Sequence, residues 1–335
     1  LGAVLWAFSS YYFIIIAAGH IWKLLTLSFI PPTIAGMVLC YKGRYLPGII
    51  VTALFTALQI LSNHVQMTYY FLFVMGFMLL AYLADAIKKH TLGRWTKATA
   101  CFAVGGLLGI AINMSNLYHT WEYSKESMRG KSELTQKTKN PADQTSSGLE
   151  RSYITMWSYG LGETWTLLVP NTKGGASMPL AASKTAMEHA NANYSPIYQA
   201  FTQYWGEQPG TSGPVYVGAF VLMLFILGLF IVRGPMKWCL LAATILSILL
   251  SWGKNFMGFT DFFLDYVPMY DKFRTVASIL VIAEFTIPLL AMLALKKLVE
   301  DPACLEGKSE RWHFPRKHYL TLSFALTGGV ALLFW

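Results

Sequence analysis

Charge is scarce in this sequence. Only 13% of its 335 residues are Asp, Glu, Lys or Arg, against the roughly 25% expected of a soluble domain. With 55% of residues apolar, a water-soluble core has no room for so much apolar surface, and a soluble globular fold is excluded. Cysteine is equally sparse. The four cysteines form no CxxC pair, so neither a cysteine metal site nor a disulfide framework is indicated. The signatures of soluble enzymes are missing as well: there is no P-loop, GxGxxG, HExxH or GxSxG element. No basic n-region with a small-residue cleavage site flanks the first apolar run, so no signal peptide is read there. The sequence also lacks an initiating Met, opening at Leu1 and closing at Trp335 inside apolar stretches; it reads as a fragment of a longer protein.

What is abundant is apolar run length. Nine runs approach the about 20 residues that a helix needs to cross a bilayer core. They cover roughly 2–18, 24–41, 45–61, 66–85, 97–116, 214–232, 236–253, 275–295 and 319–335. The expected fold is therefore an all-α integral membrane protein, a multipass bundle of about nine transmembrane helices. Residues 1–116 would hold the first five and 214–335 the last four. Between them, 117–213 would form a long extracytoplasmic loop with interfacial segments.

Basic residues orient the bundle, because Lys and Arg collect on the cytoplasmic side of short loops. Strict alternation of the nine runs places Lys42 and Arg44, then Lys88, Lys89, Arg94 and Lys97, then Arg233 and Lys237, then Lys296, Lys297, Lys308, Arg311, Arg316 and Lys317 inside. The short outer loops keep Lys23, Lys254, Lys272 and Arg274. Cys40, Cys101, Cys239 and Cys304 then fall on the inner side, where thiols stay reduced. The formal charge of +9 is accounted for by this asymmetry and by anionic head groups, without a nucleic-acid partner.

The long loop has two characters. Residues Lys131 to Arg151 are polar and nearly free of large apolar side chains, reading as a solvated segment and a poor place for a site. Tyr153 to Pro170 and Tyr194 to Tyr216 are rich in Trp, Tyr and Gly. Such aromatics suit the head-group level, either as a plain anchoring belt or as a lid over substrate.

Polar residues gather at the outer helix ends. His20 and Lys23 stand in AAGHIWK; Asn63, His64 and Gln66 in LSNHVQMTYY; Glu163 in GLGETW with Lys173, and Glu207 with Gln208 in YWGEQPG; Asp271, Lys272 and Arg274 in MYDKFRT. Lys and Arg at this level suit phosphate oxygens, Arg bidentately, although an interfacial Arg also simply snorkels. Two histidines with carboxylates nearby suit a divalent metal ion, against the plainer reading of hydrogen-bonded interface histidines. Glu163 could serve as a general acid or base or as an ordinary hydrogen-bonded carboxylate. Glu284, mid-run in VIAEFTIP with Pro288 close behind, is an intramembrane acid. Such a group suits either a hydrogen bond to a neighbouring helix or ion coupling in a transporter. Gly105, Gly106 and Gly109 offer a small-residue face for helix contact.

Five segments in order, AFSSYYFIIIAAGH, SNHVQMTYY, GLGETWTLLVPNTKGG, YWGEQPGTSGPVYVG and VPMYDKFRTVASILVIAEFTIP, resemble the YfhO-like family of bacterial multipass membrane proteins. That family is in turn similar to the GT-C superfamily of polyprenyl-phosphate-sugar-dependent glycosyltransferases. The resemblance runs from residue 7 to 288. It implies a bacterial cytoplasmic-membrane enzyme that passes a sugar from a lipid phosphate to an envelope glycopolymer, glycolipid or protein on the outer face. It also implies a principal catalytic acid in a first outer loop, which would lie upstream of Leu1. On this reading His20, His64 and Glu163 assist that acid or a metal, Lys23 and Arg274 hold the donor phosphate, Gln66 contributes to the substrate site, and Trp205 and Gln208 pack against and hydrogen-bond a sugar. A transporter or flippase of lipid-linked sugars using Glu284, and a non-enzymatic envelope scaffold, are the competing functions.

Overall fold

The computed structural model describes residues 1–127, 143–145, 149–308 and 315–334. In chain order its α-helices are α1 (Gly2–Ala7), α2 (Ser10–Ala17), α3 (Ile21–Tyr41), α4 (Tyr45–Leu61), α5 (Val65–Lys88), α6 (Leu92–Ile112), α7 (Met114–Lys125), α8 (Arg151–Ile154), α9 (Lys184–Glu188), α10 (Ser195–Ala200), α11 (Ala219–Ile231), α12 (Met236–Ser251), α13 (Met257–Tyr266), α14 (Val281–Glu300) and α15 (His318–Leu333). Two short strands, β1 (Gly174–Pro179) and β2 (Thr202–Tyr204), pair antiparallel, with Gly174 opposite Tyr204 and an irregularity before Pro179 meets Thr202.

Among the described residues four helices are long and apolar enough to cross a membrane: Ile21–Tyr41, Val65–Lys88, Leu92–Ile112 and Val276–Glu300. A rise of 1.5 Å per residue makes the 21-residue helices roughly 31 Å long, the thickness of a bilayer core. A fifth span arises if α12 and the segment after it count as one broken helix; the pair bends by 108° at the break, where Gly253 has φ +44°. The remaining expected runs are helical but shorter, at Gly2–Ala17, Tyr45–Leu61, Ala219–Ile231 and His318–Leu333.

The chain divides into two compact units, with the boundary inside α14 between Thr286 and Ile287. One unit holds residues 20–156 and 233–286. Its helices α3 to α6 follow one another through tight reversals, each turning at a residue in the left-handed region: Gly43, Asn63 and His90. At two of them the amide beyond the turn reaches five residues back, Arg44 to the Leu39 carbonyl (2.9 Å) and Thr91 to that of Ala86 (2.8 Å), which satisfies a carbonyl that the helix end would orphan. Helices joined this way alternate in direction, so the N-terminal ends of α3 and α5 lie at the same end of the unit.

Close packing rather than amphipathic patterning holds these helices. A Cβ on Gly36 would stand 2.8 Å from the Thr52 amide nitrogen, one on Gly105 2.8 Å from the Ile49 carbonyl, and one on Gly109 2.7 Å from that of Ala53. Gly105 and Gly109 thus form the expected small-residue face against α4, while Gly106 meets nothing within 4 Å. Buried hydroxyls close back on their own helices: Thr26 donates to the Trp22 carbonyl and Thr33 to that of Phe29, both at 2.9 Å. That is how polar groups remain bonded where water is scarce.

The other unit holds residues 1–19, 157–232 and 287–335. Here α11 packs on α15, with Phe230 stacked on Tyr319 at 4.9 Å, and Gly228 lets the Leu290 side chain approach. The β1–β2 hairpin, α9 and α10 lie between the aromatic segment and α11.

Candidate functional site

In the first of these units the turn geometry places a histidine at the start of two long helices. His20 is the N-cap of α3 and His64 of α5, with closely similar backbone angles, and neither start is closed by a side-chain cap. The residues before them, Gly19 and Asn63, are both left-handed. The first-turn amides of both helices are therefore unclaimed by a cap, and their dipoles add positive potential at this end.

Lys23, one turn into α3, is only 9% exposed and donates to Ser278 Oγ at 3.4 Å. Arg274 arrives on the segment that precedes α14. It donates to the Tyr153 hydroxyl at 2.6 Å, with its guanidinium 5.5 Å from the ring centroid. Gln66 on α5 ties this segment down, donating through Nε2 to the Arg274 carbonyl (2.7 Å) and to the Tyr70 hydroxyl (2.8 Å). The strand of chain before α8 and α8 itself brace it from the other side: the Leu149 amide donates to the Asp271 carbonyl (3.0 Å) and the Thr275 amide to that of Ile154 (3.1 Å).

The electrostatics show that these groups form one cluster. Partial burial, then the charges of Lys23 and Arg274, hold the His20 imidazole below its ordinary value. Burial and then Lys23 pull His64 down to about 4, with His20 adding to the effect and the residue's own backbone opposing it. Burial first, and positive neighbours second, thus disfavour the charged form of both histidines. His64 Nδ1 is buried and meets no hydrogen-bond partner outside its own residue. Strain collects here too. Thr275, between Arg274 and the turn leading into α14, has φ +63°, and Met269 has φ +66°; a β-branched residue in that region costs about 1–3 kcal/mol and persists where its surroundings impose it.

The expected residues His20, Lys23, His64, Gln66 and Arg274 therefore gather at one end of one unit. Glu163, Trp205 and Gln208 lie in the other unit and form a second constellation. Glu163, 2% exposed, accepts from the Gly160 amide (2.6 Å), the Tyr204 hydroxyl (2.5 Å), the Glu207 amide and Gln208 Nε2 (both 3.3 Å). It is the knot that binds GLGETW to YWGEQ. Burial and the Glu163 hydrogen bond together drive the Tyr204 phenol far above its usual range. A Cβ on Gly160 would press on the Glu163 and Glu207 carboxylates, which is why glycine stands there. Beside the knot, Trp205 is 64% exposed, with Lys173 Nζ 4.7 Å from its ring centroid. Gln208 by contrast spends its amide on Glu163.

A divalent metal does not fit the first cluster well. The charged groups acting on the two histidines are Lys23 and Arg274, and no group of three or more His, Cys, Asp or Glu able to hold a metal exists among the described residues. An anion is what this donor set suits: a guanidinium, an ammonium, two imidazoles and helix-start amides.

Sequence reading passed over several participants. Tyr153 and Ser278 orient the two cations, and Tyr204 anchors Glu163; each is a common residue whose role depends on a partner 41 to 255 positions away. Arg151 ends the polar segment Lys131 to Arg151, expected to be solvated, much of which lies outside the described residues. It instead forks onto Asp261 (2.5 Å) and Asp265 (2.6 Å), one turn apart on α13, beside a cavity of about 540 Å³ also lined by Asp143, Ser152 and Thr155. Glu284 is 1% exposed in α14.

No protein-family model, curated protein or solved structure matches this chain. The class that fold and site define is a helical protein with several helices fit to cross a membrane and an anion-suited cluster at helix starts.

Proposed function

We propose that this protein is a membrane glycosyltransferase that takes a sugar from a polyprenyl-phosphate donor and passes it to a cell-envelope acceptor on the extracytoplasmic face of a bacterial membrane. The observation that carries the reading is the convergence of Lys23, Arg274, His20 and His64 at the uncapped starts of α3 and α5. In the proposed reaction the acceptor hydroxyl oxygen attacks the anomeric carbon and its proton passes to a carboxylate. The bond from that carbon to the phosphate oxygen breaks, and its electron pair stays on the phosphate. Lys23 and Arg274 stabilise the charge that develops there, the form of catalysis in which fixed donors outperform water. The orientation, with nine membrane crossings and residues 117–213 outside, belongs to the same proposal. In the other unit, Trp205 offers an exposed aromatic face of the kind that stacks on a sugar, and Glu163 holds the segment beside it through the hydrogen bonds from Tyr204 and the Glu207 amide.

The test uses the protein in liposomes with radiolabelled polyprenyl-phosphate sugars and a membrane-glycan extract. Label is expected to reach the acceptor, and Arg274→Ala is expected to lower transfer by about a hundredfold, the scale of losing one fixed charge stabiliser. Movement of labelled lipid between leaflets without transfer would replace the enzyme by a flippase, for which the buried Glu284 is the coupling candidate.

A further inference from the structure

Two fixed positive charges meet two neutral imidazoles in the cluster, and that composition has a consequence for the ligand's charge state. A phosphodiester carries one negative charge, whereas a phosphomonoester becomes a dianion with a second ionisation near pH 6. In the proposed reaction a diester enters and a monoester is left, so one more negative charge appears inside the site. We infer that the His20–Lys23–His64–Arg274 cluster is a binding site for a doubly charged tetrahedral oxyanion, the phosphomonoester type, and that His64 takes up a proton as the dianion binds.

Geometry supports this. His64 Nδ1 is buried and without a partner outside its own residue, so a hydrogen-bonding position is open on an imidazole at the same end of the unit as Lys23 and His20. Lys23 is buried and donates to the neutral Ser278 hydroxyl at 3.4 Å, which leaves ammonium hydrogens for an anion. Arg274 donates to the Tyr153 hydroxyl through Nη1. The neighbouring titratable groups on the packed elements are Asp271 and Lys272 ahead of Arg274, Tyr69 and Tyr70 on α5, and Tyr153 on α8. The Asp271 carbonyl is used by the Leu149 amide.

The sign follows from linkage. In the free protein His64 titrates at about 4; a dianion beside it favours the imidazolium and raises that value. Between the two values binding takes up a proton, so affinity rises as pH falls, by up to about tenfold per pH unit for one full proton. In the cell this would make the released lipid phosphate leave more slowly at acid pH. The inference deepens the proposed function and rests on it for the step from diester to monoester and for that last consequence.

Sulfate is the probe, because it stays a dianion throughout and any pH dependence then belongs to the protein; methanesulfonate is the matching monoanion. Binding to the full chain in nanodiscs is measured by calorimetry from pH 8 to pH 5 in two buffers of different ionisation heat, which counts protons directly. Sulfate is expected to bind at least tenfold more tightly than methanesulfonate at pH 5, with close to one proton taken up, and to lose that pH dependence in His64→Gln. Zero proton uptake by the unsubstituted protein overturns the inference without recourse to any variant. So does pH dependence that persists in a His64→Gln protein with an unchanged unfolding profile. Linked sulfate binding without sugar transfer would sink the glycosyltransferase reading alone, and transfer with unlinked sulfate binding would sink this one alone.

Discussion

Glu163 and His64 are both polar groups in crowded surroundings, and they differ in what surrounds them. Glu163 accepts four donors and is the center of a hydrogen-bonded knot, whereas His64 carries a buried nitrogen with an open position. A carboxylate so fully engaged is costly to delete, because each donor it leaves is orphaned in place. Glu163→Ala is expected to cost about 2–4 kcal/mol of stability, seen as a lower midpoint in detergent thermal unfolding; an unchanged midpoint would show the knot to be dispensable. The residue type was visible in the sequence, as was its aromatic, glycine-rich setting. Its partners were not, since Tyr204 and Gln208 lie 41 and 45 positions away and nothing local specifies their approach.

At the scale of elements, helices α3, α4 and α6 are held by backbone approach through glycine. The sequence displays the glycines but not which face inward: Gly105 and Gly109 press on α4, and Gly106 on nothing. Gly109→Leu should therefore force α6 away from α4 and lower stability by about 1–3 kcal/mol, while Gly106→Leu should stay within about 0.5 kcal/mol. Equal effects of the two substitutions in the same unfolding assay would refute this packing. The reversals at Gly43, Asn63 and His90 belong to this scale as well. They decide which helix starts share an end, and so bring His20 and Lys23 to the side of His64 and Gln66. Apolar run length identified the helices but overstated their reach at Ala219–Ile231, where only 13 residues are helical, because the Pro-Gly-rich chain from 209 to 218 takes up the start of the run.

The whole molecule is legible chiefly as a pattern of charge and hydrophobicity. Among the described residues four helices are fit to cross a membrane, five with the bent pair, and the basic loops orient them if all nine runs cross. Under that orientation Cys304, with Cys40, Cys101 and Cys239 at inner helix ends, is shielded from outside. An impermeant maleimide is expected to label Cys304 in inverted vesicles and no native cysteine in right-side-out ones, while a Thr202→Cys protein, substituted at an exposed hairpin position, is labelled from outside. Outside labelling of Cys304 would reverse the assignment.

By itself the sequence determined a largely helical chain with several helices apolar enough to cross a membrane, and the kinds of residue at the helix ends, because run length and low charge are properties of a chain read one residue after another. Tertiary structure alone decided the rest: that the expected site residues form two constellations in two units, that Lys23 and Arg274 converge on the histidines, and that Glu163 is engaged on every side. Those facts depend on helix direction, on which glycine faces a neighbour and on contacts as much as 255 positions apart, and no local pattern of residues encodes such distances.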